Sequence, residues 1–495
     1  MSVSVYFGDE LPKTPPVEIA TTTPFRILVL ADLGSESAWG KPKYVDCDDL
    51  DDVIKNLGVK AELELGDNGP LAQVEIESME DFHPDRLLKD MKLFKALREQ
   101  RKRVANAETF AQEIALSQAV KNKDETPSVE TETSESSGDA TSNLLGAAID
   151  LAQAQQIPLE QRIAAGTVDW EEYVRELASP FLVDKADPRQ AEMLDNIDTT
   201  ITSMMRQVLH HPEFQKLEAT WRGIHFLTDR LETNRTLQIA VLNVSQKVLE
   251  DDLSATENLT QSQLYKLLID QPNQSQEHPW NIVVGDYQFT STPEETQTIG
   301  RIAKVCFAAG SAFVSGANAS IAGCPGFGLA PDCDDWTAPE ETNREAWNEL
   351  RALPATQAIA LTLPRILLRR VYGKETDPID SFVFEELLDG TDHAGYLWTN
   401  AAYGIAYLYG QTFSEEGWGF SHVTSEKLKR LPIHFYVDQG EECIQACAET
   451  YLVDRCSDKL AKLGLTVARS VRNEGEVQFG KIKSLSLESD TWLVK

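Results

Sequence analysis

Positive charge is what this sequence has too little of. Forty-six Lys and Arg face seventy-nine Asp and Glu, for a formal net charge of −33. Nucleic acid is thereby excluded as the main partner, because displacing counterions from phosphates needs a surface rich in Lys and Arg. The acidic excess either keeps the chain soluble or presents an acidic face to a basic partner. Long apolar runs are also missing. No segment approaches the roughly 20 apolar residues that span a bilayer, so membrane insertion is not expected. The first residues, MSVSVYFGDELPKTPP, have no basic stretch followed by an apolar one, so no secretory signal is expected. Cysteines are few and odd in number: Cys47, Cys306, Cys324, Cys333, Cys443, Cys447 and Cys456. A disulfide framework is not expected, and several of them (AKVCFAAG, ECIQAC) read as small buried hydrophobes. A reducing cytoplasm fits.

The motifs of chemistry are equally sparse. There is no GxxxxGK[ST] and no GxGxxG after a strand, and Gly323–Gly328 (GCPGFG) reads as a surface loop. No GxSxG nucleophile elbow occurs. Cys443 and Cys447 lack a second ligand pair at zinc-like spacing. His210 and His211, before Pro212, read as helix-end caps. The acidic cluster Asp46, Asp48, Asp49, Asp51 and Asp52 lacks the central Gly and distal Glu of a calcium loop, so it reads as a solvated helix start. Asp389, Asp392 and His393 in LDGTDHAGY are either a hydrogen-bonded turn or a general base with an orienting carboxylate. No catalytic residue, metal ligand or cofactor site is therefore assigned, and the chain is not expected to be an enzyme.

What is present is an α/β pattern. A chain of 495 residues exceeds the roughly 250–300 that one core supports, so two or more domains are expected. Phe25–Leu33 (FRILVLADL) reads as a buried strand and Asp48–Leu57 as a helix with an acidic first turn. Leu71–Ile76 alternates like a half-buried strand, and Asp81–Ala105 reads as one long helix with Pro84 near its start. Further on, helices are expected over Asp187–Leu209 and Glu213–Leu231, a strand over Leu237–Val244, and helical patterns within Asp251–Asp270. Asn281–Asp286, Ala312–Gly316 and Ala360–Leu363 read as strands, and Pro293–Gly310 and Tyr396–Gly410 as helices. Strands alternating with helices predict mixed, mainly parallel sheets flanked by helices.

Residues 121–142 (KNKDETPSVETETSESSGDATS) have almost nothing apolar to bury, and read as an acidic disordered linker. The expected division is therefore a small α/β domain over 1–120, the linker over 121–142, helices over 143–180 and a large α/β domain over 181–495. Within Asn143–Gln156, Leu144, Leu145 and Ile149 belong to an apolar stripe at helical spacing. A helix this short is marginal alone. It either docks on its own protein or waits for a partner groove. Arg365, Arg369, Arg370 and Lys374 form a basic patch in LPRILLRRVYGK. The patch either pairs internally with Glu385 and Glu386 or faces the acidic surface of a neighbouring copy.

Five strings together resemble the large subunit of the type VI secretion contractile sheath. They are LHHPEFQKLEATWRGIHFL (209–227), LQIAVLNVS (237–245), VVGDYQF (283–289), LTLPRILLRRVYGKETDPIDSFVFEE (361–386) and DGTDHAGYLWTNAAYGIA (389–406). The N-terminal part is similar to the small subunit of the same sheath, through PFRILVLADLG (24–34), VDCDDLDDVI (45–54), VEIESMEDFHPDRL (74–87) and LFKALREQRKRV (93–104). The resemblance implies a fused sheath protomer, a cytoplasmic structural protein. It implies self-assembly with other sheath subunits into a helical tube around an inner tube protein, attachment to a baseplate, and contraction that drives secretion. It also implies recycling by a Clp-type ATP-driven unfoldase, which would grip Leu144, Leu145 and Ile149. The basic patch would then serve contacts between subunits. A non-closing heterologous contact makes such a filament, and contraction is a switch between two packings. Large subunits of this family continue past the position matching Phe479-Gly480 with a strand-bearing arm, whereas this sequence stops at Lys495. That departure motivates a second reading: a sheath-like accessory, cap or assembly regulator that binds the sheath without polymerising.

Overall fold

The strand Phe25–Ala31 is buried at all seven positions. In a computed structural model of the chain it pairs in parallel with Leu237–Asn243 on one side and Ile282–Phe289 on the other. A strand hydrogen-bonded on both edges and covered on both faces has no solvated side, which is why its sequence does not alternate. Arg26 is the exception. Its guanidinium lies 4.0 Å from the centre of the Trp280 ring, and it donates to Tyr44 Oη at 2.6 Å and Glu277 Oε2 at 3.0 Å. The buried cation is thus paired and hydrogen-bonded.

The structure describes residues 5–9, 11, 23–65, 71–106, 109–110, 188–275, 277–420, 422–489, 491–492 and 494. It divides into two units. The first comprises Met1–Val59, Lys216–Val371 and Asp389–Lys495, and the second Lys60–Gln215 and Tyr372–Leu388. These units cut across the segments expected from composition. A strand of the N-terminal segment completes a sheet whose neighbouring strands lie more than 200 residues further on, because backbone pairing ignores chain distance.

The first unit is built on a nine-stranded sheet. Its strands run in the order Lys427–Leu428, Val477–Phe479, Thr466–Ser470, Ile359–Leu363, Ala312–Ala317, Ile282–Phe289, Phe25–Ala31, Leu237–Asn243 and Lys43–Tyr44. The central pairings are parallel, and antiparallel pairs close both edges. Helices pack on the sheet, giving the mixed α/β class expected. The helix Pro293–Ala309 starts with Thr292 as its cap and Pro293 in the first turn, and ends at Gly310 in a left-handed conformation. The helix Ala402–Glu416 begins six residues later than its apolar pattern suggests. Trp398–Thr399 is drawn into a short antiparallel pair with Ile366–Leu367, and the Asn400 side chain accepts the Ala402 N–H at 3.0 Å. On its other side Asn400 donates to the Tyr287 carbonyl at 3.0 Å, which ties the helix start to the sheet. The hairpin His434–Asp438 with Glu441–Gln445 forms a separate two-stranded sheet.

In the second unit Leu71–Ile76 belongs to a two-stranded sheet with Val59–Glu64, and both strands bury every second residue. The helix expected over Asp81–Ala105 is interrupted. A 3₁₀ turn, Met79–Phe82, leads into Pro84–Asp90, the chain extends at Met91, and Lys92–Ala105 follows. No proline or glycine marks the break. It is held by tertiary contacts: Met91 is buried, and Arg98 donates to the Leu88 and Lys89 carbonyls that the first helix leaves open. Lys92–Ala105 packs along Pro188–Leu209, where Arg101 grips Asp198 through two bonds of 2.6 and 3.0 Å.

Candidate functional site

The basic segment separates into members with different fates. Ile359–Leu363 ends at Pro364, so the chain leaves the sheet and delivers Arg365 beside a loop that carries Glu449. Glu449 accepts the Arg365 backbone N–H at 2.9 Å and its guanidinium at 2.6 and 3.1 Å. The Arg365 carbonyl in turn accepts the Glu449 N–H at 3.1 Å. The two residues are thus locked through both backbone and side chain. Arg365 keeps 42% of its side-chain surface in water, whereas Glu449 keeps 9%.

Arg369 points inward instead. Its Nε lies 2.8 Å from Glu218 Oε1, and the two side chains are 4% and 0% exposed. Glu218 sits on the helix Pro212–Arg230, where Arg222 one turn later reaches the same oxygen at 2.9 Å. One buried carboxylate is therefore held by two arginines, and charges taken this far from water persist only when paired. Arg369 is not part of a surface patch, because its charge is consumed inside the unit. Arg370 is exposed. Lys374, in the second unit, is also exposed, and its backbone N–H rather than its ammonium meets Glu385, at 3.1 Å. Glu385 also offers its carbonyl to Arg206 at 2.6 and 2.8 Å, and the buried Glu386 accepts the Tyr372 N–H at 2.7 Å. Glu218 and Glu449 are thus internal partners of Arg369 and Arg365. The helical spacing of Glu218 and Arg222 was the one sequence signal for the first of these, and Glu449 carried none.

The Asp389–Tyr396 segment is a hydrogen-bonded turn. Asp389 accepts the Thr391 N–H at 2.8 Å, which holds its carboxyl below the usual range. Asp392 accepts the Ala394 N–H at 3.2 Å and starts a single 3₁₀ turn, His393–Gly395. The His393 ring stacks on Trp398 with centroids 5.1 Å apart, and its Nε2 lies 3.8 Å from Glu449 Oε1. Burial pulls the imidazole pKa down, with Glu449 opposing and Arg365 reinforcing that shift. His393 therefore belongs with the Glu449–Arg365 cluster.

Within the strand Ile282–Phe289, Asp286 accepts hydrogen bonds from the Thr220 hydroxyl at 2.7 Å and the Tyr403 hydroxyl at 3.1 Å. Burial raises its pKa while these donors pull it back. The Tyr403 ring fits because residue 223 is glycine: a Cβ there would stand 2.3 Å from the ring edge. The arrangement ties the helix carrying Glu218 to the central strands.

The remaining sequence candidates resolve locally. His211 Nδ1 accepts the Glu213 N–H at 3.3 Å, capping the start of the following helix, and His210 Nε2 lies 3.8 Å from Glu386. Asp46 and Asp49 close a turn by accepting backbone N–H groups at 2.8 and 2.9 Å. All seven cysteines are free thiols, with Cys47 exposed and Cys306, Cys324, Cys333, Cys447 and Cys456 buried. Among the described residues no helix is long and apolar enough to cross a membrane. Leu144, Leu145 and Ile149, with the 121–142 linker and the 143–180 segment, lie outside the described residues.

Comparison with known proteins gives these clusters a setting. The family model described as VipB, EvpB/VC_A0108, tail sheath N-terminal domain, matches residues 191–486. That interval contains Glu218, Arg222, Arg365, Arg369, His393 and Glu449, and seven of the nine strands of the large sheet. The strand Phe25–Ala31 enters the sheet from outside it. The chain is 33% identical over 298 residues to the type VI secretion system sheath protein TssC1 of Pseudomonas aeruginosa, an alignment covering 58% of this chain and 60% of that protein. The chain thus spans about three fifths of the length of this curated relative. With more than half of its residues matched, the chain belongs to the VipB tail sheath family.

Proposed function

We propose that this chain is a structural component of a type VI secretion contractile sheath, assembling around an inner tube in the cytoplasm and contracting to drive secretion. The observation that carries the reading is the family match, which takes in seven of the nine strands of the large sheet. Its buried charges are paired with one another or hydrogen-bonded to the scaffold, an arrangement suited to a rigid body that moves as a whole. On this reading the chain is not an enzyme. Its partners are other sheath subunits, the tube protein, the baseplate and a Clp-type unfoldase. The N-terminal segment supplies what a small subunit supplies elsewhere, including the strand Phe25–Ala31. Leu144, Leu145 and Ile149 are the residues taken by the unfoldase. Of the basic residues Arg365, Arg369, Arg370 and Lys374, the exposed Arg370 and Lys374 are the ones offered to electrostatic contacts between subunits.

Electron microscopy of the purified full chain, alone and with tube protein, tests the proposal. Long helical tubes are the expected result. Monomers or short rings that nevertheless bind a preformed sheath would overturn polymerisation and leave the accessory, cap or assembly-regulator role. A chain that ignores both tube and sheath removes the functional reading altogether.

A further inference from the structure

We propose that Asp332, Cys333 and Cys456 form a binding site for a soft divalent cation, of which Zn²⁺ is the type. Asp332 and Cys333 sit at the head of the short turn Cys333–Asp335, and Cys456 lies in the first turn of the helix Asp454–Lys462. Residues 123 positions apart are thus brought face to face, and one ligand atom from each of the three lies within 4.8 Å of the other two. Two thiolates on a tetrahedral Zn²⁺ stand about 3.8 Å apart, given Zn–S bonds near 2.3 Å, so modest side-chain adjustment closes the site. Two sulfurs and one carboxylate are a donor set that zinc accepts, with a fourth position left for water.

Three further features suit an ion. The Cys333 N–H donates to Cys456 Sγ at 3.1 Å, the kind of backbone contact that steadies a sulfur ligand. The sulfurs are shielded, with Cys333 8% and Cys456 0% exposed, while the Asp332 side chain is 44% exposed and gives a way in. The carboxylate already attracts a cation: Arg455 bridges Asp332 and Asp334, reaching the latter at 2.6 Å. That guanidinium is 53% exposed, so it can swing into water and yield its place. The Lys459 ammonium donates to the Cys333 carbonyl at 3.2 Å and lies over the Trp336 ring.

Titration of the reduced full chain with Co²⁺ under exclusion of oxygen tests the site. One equivalent is expected to bind, with a thiolate-to-cobalt charge-transfer band in the near ultraviolet and tetrahedral d–d bands in the visible, all displaced by Zn²⁺. Cys333→Ser and Cys456→Ser should abolish the charge-transfer band or weaken binding by more than the ~10–100-fold that even outer partners of a metal ligand are worth. Asp332→Asn, a half-exposed change that leaves the fold intact, should weaken binding by about tenfold or more. Cys47→Ser should change nothing. The proposal fails if no saturable uptake occurs, if uptake survives the loss of either sulfur, or if the two thiols form only a disulfide on oxidation and never bind Co²⁺ when reduced.

Discussion

Glu218 and Glu449 both hold an arginine from the same short stretch of chain, yet their settings differ. Glu218 has no exposed surface and shares one oxygen between Arg222 and Arg369. Glu449 is nearly buried, but its partner Arg365 is 42% exposed and a histidine stands beside it. The first is an internal brace whose charges water cannot rescue. The second is a rim at which solvent shares the load. Arginines four residues apart thus do different work, and which does which follows from the depth of the carboxylate.

The largest effect should come from breaking the brace. Arg369→Met leaves Glu218 with Arg222 alone and should lower stability by about 3 kcal/mol, the low end for a broken buried pair. The shift in denaturant midpoint measures this. Adding Glu218→Leu should recover at least about 1 kcal/mol relative to the sum of the single changes, since contacting pairs are not additive. Additive losses would show that the pair is not coupled.

The rim should respond to pH. Burial lowers the His393 pKa, so the unfolded chain takes up a proton near pH 6.5 before the folded one does. Stability from this group is present above that value and falls as pH drops through it towards the lower folded pKa, by at most about 1.4 kcal/mol per pH unit. His225, also lowered by burial, adds a similar slope. His393→Gln should flatten the wild-type dependence between about pH 7 and 5.5. An unchanged slope would place the titration elsewhere.

The smallest change in stability is expected at the exposed cations. Arg370→Glu and Lys374→Glu should shift unfolding by no more than about 0.5 kcal/mol each. If they serve contacts between subunits, the same variants should shorten or abolish tubes under the microscope. Tubes of normal length would remove these residues from the interface.

These contrasts also show what was legible beforehand. Phe25–Ala31 and Leu237–Asn243 were readable because burial on both faces leaves a plain apolar run, and Pro293–Ala309 because Pro293 and Gly310 mark its ends. The break at Met91 was not, because a side chain far along the next helix satisfies the open carbonyls. Of the basic segment, its existence was legible and its use was not. Sequence spacing cannot say that Arg369 turns inward to a helix about 150 residues earlier while Arg370 beside it stays in water.

Local chemistry along the chain by itself determined the α/β class and the family resemblance, because those depend on runs of residue type. Only the tertiary structure decided that Phe25–Ala31 lies third from one edge of a sheet made mostly of later strands, that Glu218 holds Arg369 while Glu449 holds Arg365, and that Cys333 meets Cys456. The physical reason is common to all three. Strand pairing, charge pairing and thiol proximity are set by distance in space, and a folded core brings together residues whose separation along the chain carries no trace of it.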